Sequence, residues 1–121
     1  MASTVSNVSS PIATKLVVET DSQQSTPVNN VTGTSGNFYL IDIDNTANGA
    51  VTYFKMYDTA GPTIGTTEPD FVIKVAASSR RVFAATDGFA FSALSFICST
   101  VGGRAQGSDP GSAVVVRILC T

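Results

Sequence analysis

The side chains best placed to do chemistry are two aspartates in the segment DIDN, residues 42–45. In a β-strand, side chains two positions apart lie on the same face, so Asp42 and Asp44 could share a hard cation. A calcium loop of the EF-hand type would also need a glycine at its sixth position and a more distant glutamate, and this segment has neither. The pattern therefore favours a solvated strand face. We expect no metal site and no cofactor.

Nucleophilic catalysis has little support in the sequence. Hydroxyl side chains are plentiful, but the chain has no histidine to act as the usual general base and no G-x-S-x-G motif. The glycine-rich segments GTSGNF and VGGRAQG are not followed by a helical pattern, so neither predicts a phosphate or dinucleotide site. A serine–lysine pair is left open, although no spacing points to it. We therefore expect that the protein is not an enzyme.

Length and charge narrow the function classes further. A chain of 121 residues fits one domain. A net charge of -2 and an isoelectric point of about 4.7 argue against nucleic-acid binding, which usually needs a basic surface. No segment has the ~20 apolar residues of a membrane helix, and the N-terminus lacks the basic start and apolar centre of a signal peptide. We expect neither nucleic acid nor membrane as a partner, and retention in a cytoplasm or release by lysis.

The two cysteines lie far apart, each in an apolar run. This placement favours buried, reduced thiols at Cys98 and Cys120, with a cross-strand disulfide as the alternative. A structural zinc site normally takes four cysteine or histidine ligands, so two cysteines without histidine argue against one.

The chain's organisation is typical of an all-β protein. From Gly36 onward, apolar runs of five to ten residues alternate with clusters of Gly, Pro, Asn and Asp, without a helical period. We predict an antiparallel β-sandwich or jelly-roll-like domain of about seven or eight strands over residues 37–121. Residues 1–36 are rich in Ser, Thr and Asn. They are predicted to form a polar N-terminal arm with one strand near residues 13–19.

The dipeptide Asn48-Gly49 predicts a two-residue hairpin turn, because both central residues of a type I′ turn need positive φ. The register set by this turn would place Ile43 opposite Phe54 on an apolar face. It would also place Asp42 opposite Lys55 on the outer face, as a pair of opposite charges.

Asp87-Gly88 predicts a second hairpin, between residues 81 and 94. The strand that would follow, GFAFSALSFICS, carries large apolar residues on both faces, and so does the last run, SAVVVRILC. A strand that is apolar on both faces needs additional cover, which the chain's own arm or a neighbouring subunit could supply. We therefore expect a homo-oligomer, with a trimer as the simplest guess. Candidate interface residues are Tyr53, Lys55, Tyr57, Arg80, Arg81 and Phe96.

The segment YFKMYDTAGPTIGTTEPDFVIKV resembles a run found in small virion proteins of tailed bacteriophages. In that run a strand of the form Tyr-x-Lys-x-Tyr-Asp precedes Pro-Thr-x-Gly-Thr-x-x-Pro and a further apolar strand. The matching residues here are Tyr53, Lys55, Tyr57, Asp58, Pro62, Thr63, Gly65, Thr66 and Pro69. The segment FAATDGFAFSALSFICST also resembles the closing strands of such proteins, so the resemblance covers roughly residues 37–100.

The resemblance implies a β-sandwich module of a phage particle, assembled in the host cytoplasm. The role that best fits a small, inert module is a capsid decoration (cement) protein. Such a protein would bind the major capsid protein, or another virion protein, on the outer surface of the head. The alternative is a receptor- or carbohydrate-binding module of a tail or fibre, in which Tyr53 and Tyr57 would stack on sugars.

Overall fold

A computed structural model describes residue 3 and residues 13–121. The described residues form seven strands and no helix, and no helix that could span a membrane is found there. The strands are β1 (Lys15–Glu19), β2 (Gly36–Asp44), β3 (Thr52–Asp58), β4 (Phe71–Val75), β5 (Arg80–Phe91), β6 (Leu94–Ser99) and β7 (Val115–Cys120).

The strands form two antiparallel sheets, which confirms the predicted all-β sandwich. The four-stranded sheet has the order β1-β7-β2-β5, and the three-stranded sheet has the order β4-β3-β6. Alternate residues of β2 and β7, such as Ile41 and Ile118, point inward and are fully buried. They share one core with Phe54 and Met56 of β3 in the opposite sheet. A period of two thus gives each sheet one core-facing side.

The predicted hairpin at Asn48-Gly49 is wrong. β2 and β3 lie in different sheets, and neither Asn48 nor Gly49 has a positive φ. Residues 45–51 instead carry the chain from one sheet to the other. The buried side chain of Asn45 holds this connection by donating hydrogen bonds to the carbonyls of Ala50 and Ala76, both at 3.1 Å. These side-chain bonds stabilise a crossover where the dipeptide alone favours a tight turn.

The predicted hairpin at Asp87-Gly88 is also wrong. Residues 80–91 form the single strand β5, which pairs with β2 along its length. The register shifts between Phe38 and Leu40, where β5 accommodates extra residues. Gly88 lies in this irregular stretch with a φ of 81°, and a Cβ atom there would lie 2.8 Å from the ring of Tyr39. The glycine therefore permits a bulge, not a reversal of the chain.

The predicted strand near residues 13–19 is present as β1, which pairs with β7. The connector that follows, within residues 20–35, packs against β6. Val28 and Phe96 exchange two backbone hydrogen bonds of 3.1 and 2.9 Å, and Ser99 donates to Gln24 Oε1 at 2.9 Å. Residues 13–36 are therefore part of the sandwich and not a detached arm, because they complete one sheet and cover the other. The remainder of the predicted arm, residues 1–2 and 4–12, lies outside the described residues.

Candidate binding surface

The outer face of the three-stranded sheet is covered by the chain's own loops. Tyr57 and Ile97 point outward from this sheet, yet both are fully buried without belonging to the central core. The connector before β2 lies along the edge of β6, where Gln24 accepts a hydrogen bond from the outward Ser99, and the loop between β6 and β7 crosses β3. The chain itself, and not a neighbouring subunit, therefore supplies the cover that the both-sided apolar pattern of β6 requires.

Lys55 lies beneath this cover and does not pair with Asp42, so that predicted ion pair is wrong. Its cross-strand neighbours are Val72 and Ile97, and its Nζ donates a hydrogen bond of 3.0 Å to the carbonyl of Ala105. The residue has no exposed surface, and burial lowers the pKa of Lys55. Lys55 therefore anchors a loop and does not present a charge to a partner.

Tyr57 and Phe96, two further interface candidates, are also fully buried within the chain. Phe96 packs in the core with its ring centroid 5.6 Å from that of Phe54. Burial raises the pKa of Tyr57. Neither side chain reaches the surface of this chain. Their apolar character serves the packing of the three-stranded sheet and its cover.

The other three interface candidates remain accessible. Tyr53 is half-buried against Gly102, where a Cβ atom would lie 3.1 Å from the tyrosine ring. Arg80 and Arg81 are exposed at the start of β5 and point to opposite faces of the strand. Arg81 donates a hydrogen bond of 2.9 Å to the carbonyl of Lys74, which ties β5 to β4 across the edge of the sandwich. Tyr53 shares the outward face of β3 with the buried Lys55 and Tyr57, whereas the two arginines lie on β5 in the other sheet, so the six candidates do not form one surface.

Asp42 and Asp44 share the outer face of β2, as their spacing predicts. Arg80 pairs with Asp42 through two hydrogen bonds, one of them 2.7 Å from Nε to Oδ1, and this pairing lowers the pKa of Asp42. Asp44 accepts hydrogen bonds of 2.6 and 3.0 Å from the hydroxyl and backbone N–H of Thr46, which lower the pKa of Asp44. Each carboxylate thus has its own donors. No group of three or more metal-binding side chains occurs among the described residues.

Both cysteines are buried and form no disulfide, which agrees with the first of the two sequence-based alternatives. Cys98 lies in the three-stranded sheet and Cys120 in the four-stranded sheet. Burial raises the pKa of the Cys98 thiol to about 12 and also raises the pKa of Cys120. Since the thiolate is the reactive form, both side chains are suited to packing and not to nucleophilic chemistry.

The outer face of the four-stranded sheet, here called the bare face, has no cover among the described residues. Cross-strand registry arranges its side chains in rows that run across the four strands. One row is entirely apolar, and the next has apolar ends and a charged centre. The first row is Leu16, Leu119, Leu40 and Ala84, and the second is Val18, Arg117, Asp42 and Val82.

Several of these apolar side chains are substantially exposed. The exposed fraction is 59% for Leu16, 48% for Val18, 54% for Val82 and 37% for Leu119. A shallow apolar groove of about 410 Å³ opens beside the first row, between Ala13, Tyr39, Leu40, Ala85, Thr86 and Leu119. A contiguous apolar area of this kind is typical of a surface that binds another molecule.

Sequence reasoning missed the bare face, although one signal was available. β1 and β7 carry apolar side chains at both odd and even positions, and the outward set in each strand includes leucine or valine. The both-sided pattern of β7 is visible in the sequence, but its position beside β1 in the same sheet follows only from the topology. Comparison of the chain with models of protein families, with curated proteins and with solved structures gave no significant match.

Proposed function

We propose that this chain is a structural virion protein of a bacteriophage, acting as a capsid decoration (cement) protein. It binds the outer surface of the head and clamps neighbouring subunits of the major capsid protein. The observation that carries the proposal is the contrast between the two sheets. The chain covers the outer side of one sheet with its own loops and leaves the other bare and apolar.

A bare apolar sheet face is costly in water, because each exposed Å² of apolar surface forgoes about 25 cal/mol of burial free energy. Leu16, Val18 and Val82 are all close to half exposed or more. A chain that retains such a face is suited to work in an assembly, where the face is removed from solvent. This supports a structural role over that of an isolated monomeric module.

The polar groups of the chain support the same role, because they hold the fold together. Lys55 anchors a loop, Arg81 ties two strands, and Asp42 engages Arg80. The resemblance of residues 53–69 to phage virion proteins likewise rests on a pattern of strand and turn residues and not on an active site. Residues 53–58 lie in β3, the central strand of its sheet, and Thr63 accepts a backbone hydrogen bond of 2.8 Å from Thr67 in the turn that follows.

A cement protein gains its effect from repetition. Many copies bound to one head act multivalently, so a modest affinity per copy stabilises the particle strongly. Tyr53 and Arg81 remain the proposed contacts with capsid protein, since both reach the surface away from the bare face, whereas Arg80 is held on that face by Asp42. The carbohydrate-binding alternative relied on Tyr53 and Tyr57 together. It is weakened because Tyr57 is buried.

The test uses heads of the phage that encodes the chain, prepared without the chain. Purified protein is added, the heads are sedimented, and the bound protein and the temperature of head disruption are measured. We expect saturable co-sedimentation and a higher disruption temperature. Arg81→Glu should weaken binding, whereas Lys74→Glu, a neighbouring exposed cation on β4, serves as the matched control. Absence of binding to heads, together with binding to a glycan array, would overturn the proposal in favour of the carbohydrate-binding alternative.

A further inference from the structure

We propose that a second copy of this chain covers the bare face, in a two-fold symmetric pair. The axis lies between the two sheets, parallel to the strands and midway between β7 and β2. Rotation about this axis places β7 of one copy over β2 of the other and β1 over β5. The inference does not depend on the virion role, because it concerns only the purified chain.

The charged row of the bare face matches this rotation. Its order across the sheet is Val18, Arg117, Asp42 and Val82, so the rotation reverses it onto itself. Arg117 then lies over the second copy's Asp42, and Val18 lies over the second copy's Val82. Apolar ends meet apolar ends, and each charge meets its opposite, as an interface between identical surfaces requires.

The apolar row matches it as well. Leu119 lies over the second copy's Leu40, and Leu16 lies over the second copy's Ala84, a large side chain against a small one. Leu40 and Leu119 also line the apolar groove, which offers space for side chains of the second copy. Stacked sheets lie about 10 Å apart and cross at about 30°, so these central rows make the closest contacts.

Electrostatics favour burial of this face against its own copy. The face carries two cations, Arg80 and Arg117, and two anions, Asp42 and Asp44, so it is neutral as a whole. Arg117 makes no hydrogen bond within the described part of the chain, although it lies near enough to contribute to lowering the pKa of Asp42. Arg80 occupies one acceptor position on each oxygen of Asp42, so about two of the four positions are left for a second guanidinium, which reaches the carboxylate through the 9% of the side chain that stays exposed. Pairing therefore supplies Arg117 with the partner that burial of a charge demands.

The size of the bare face limits how tightly two copies of the chain can associate. Four strands spaced about 4.8 Å apart, with a rise of about 3.3 Å per residue over five residues, span roughly 19 by 17 Å. This is about 320 Å² per copy, or about 650 Å² for the pair, which is below the roughly 1,200 Å² of stable specific interfaces, so we expect a weak pair that dissociates on dilution. Its mass is twice the 12.5 kDa of the chain, and not three times as the trimer guess from the sequence would require.

Sedimentation equilibrium of the full chain over a range of concentrations tests the pair. We expect a monomer–dimer equilibrium that Leu119→Glu weakens by about 100-fold or more, since two carboxylates would be buried without partners. The matched control is Val72→Glu on the outer side of β4, where the exposed fraction of 41% resembles the 37% of Leu119. A wild-type monomer at every concentration would overturn the inference, and so would equal effects of the two substitutions.

A mixing experiment tests the symmetry itself. Arg117→Glu and Asp42→Lys should each abolish self-association, because each homodimer then contains two like-charge contacts. In an equimolar mixture every cross-copy contact again joins opposite charges, so dimers should reappear. Failure of the mixture to associate, with both variants folded by circular dichroism, would exclude this two-fold arrangement. If either variant does not fold, the comparison of Leu119 with Val72 decides alone.

Discussion

Replacement of Asn45 by alanine should be one of the most destabilising single changes in this protein. The side chain is fully buried where the chain crosses between the sheets, and it uses its entire hydrogen-bonding capacity. Its Nδ2 donates to the carbonyls of Ala50 and Ala76, both at 3.1 Å. Its Oδ1 accepts from Asn48 Nδ2 and from Thr52 Oγ1, both at 2.9 Å.

The expected loss follows from these four bonds. Each contributes a net stability of about 1 kcal/mol, and a buried partner left without a bond costs about 1–3 kcal/mol. Asn48 keeps its second hydrogen bond, from Nδ2 to the Ser112 carbonyl, so it is not wholly unsatisfied. We expect Asn45→Ala to reduce the free energy of unfolding by about 3–5 kcal/mol, a large part of the roughly 5–15 kcal/mol typical of a domain.

Urea denaturation followed by circular dichroism would measure this loss. A thermal scan should show a fall in Tm of about 12–20 °C, taking about 4 °C per kcal/mol for a chain of this size. Asn29→Ala is the matched control, because Asn29 is exposed and its side chain makes no hydrogen bond within the described residues. A loss below about 1 kcal/mol for Asn45→Ala would refute the reasoning, since a single ordinary hydrogen bond is worth that much.

Two further changes probe the bulge and the ion pair of the bare face. Gly88→Ala should cost about 1–3 kcal/mol in unfolding free energy, because its φ is 81° and the new Cβ would meet the ring of Tyr39. Gly49→Ala, with open space around it, is the control, and equal losses in urea titrations would contradict this account. Arg80→Gln should reduce stability more at neutral pH than in acid. Because the folded pKa of Asp42 is depressed, the contribution of this pair is present above the unfolded pKa of about 3.9 and is lost as pH falls through the folded value. A loss that does not change with pH, measured by denaturation across this range, would argue against the pair.

The fold class could be predicted because it depends on local patterns. Alternating apolar residues mark the strands, and Val116 and Ile118 of β7 face the core as a period of two requires. The same pattern identified β6 as a strand that needs cover on both sides. It did not reveal that the cover is the connector containing Gln24 and Val28, because that contact joins residues about 70 positions apart.

The pairing of strands could not be predicted from turn signals. Asn48-Gly49 is a strong local hairpin motif, but Asn45 and Thr52 form a buried network that stabilises a crossover instead. The apparent match of Asp42 with Lys55 followed from the assumed register. In the protein both strands do direct their apolar residues into one core, from opposite sheets. The predicted sorting of inward from outward residues therefore held, while the neighbours were wrong.

The candidate surface was harder to predict than the fold. The local sequence does not reveal whether a loop covers an outward-pointing residue. Lys55 and Tyr57 illustrate this, because both point outward from their sheet and are nevertheless buried. Conversely, Leu16 and Leu119 are large apolar residues in strand patterns, yet both lie exposed on the bare face. Exposure depends on which loop crosses which sheet, and this information lies in contacts between distant segments.

The topology also has a kinetic consequence. Of the seven described strands, only β3 and β4 pair with a neighbour in sequence. β7 lies between β1 and β2 and pairs with the first across about 100 residues and with the second across about 70–80. Such non-local pairing carries a large loop-closure entropy and is typical of folding in milliseconds to seconds. During synthesis, β1 and β2 must wait for residues 115–120 before the four-stranded sheet can form. Until then β2 presents an unpaired edge, so the nascent chain is open to misassembly until β7 has been made.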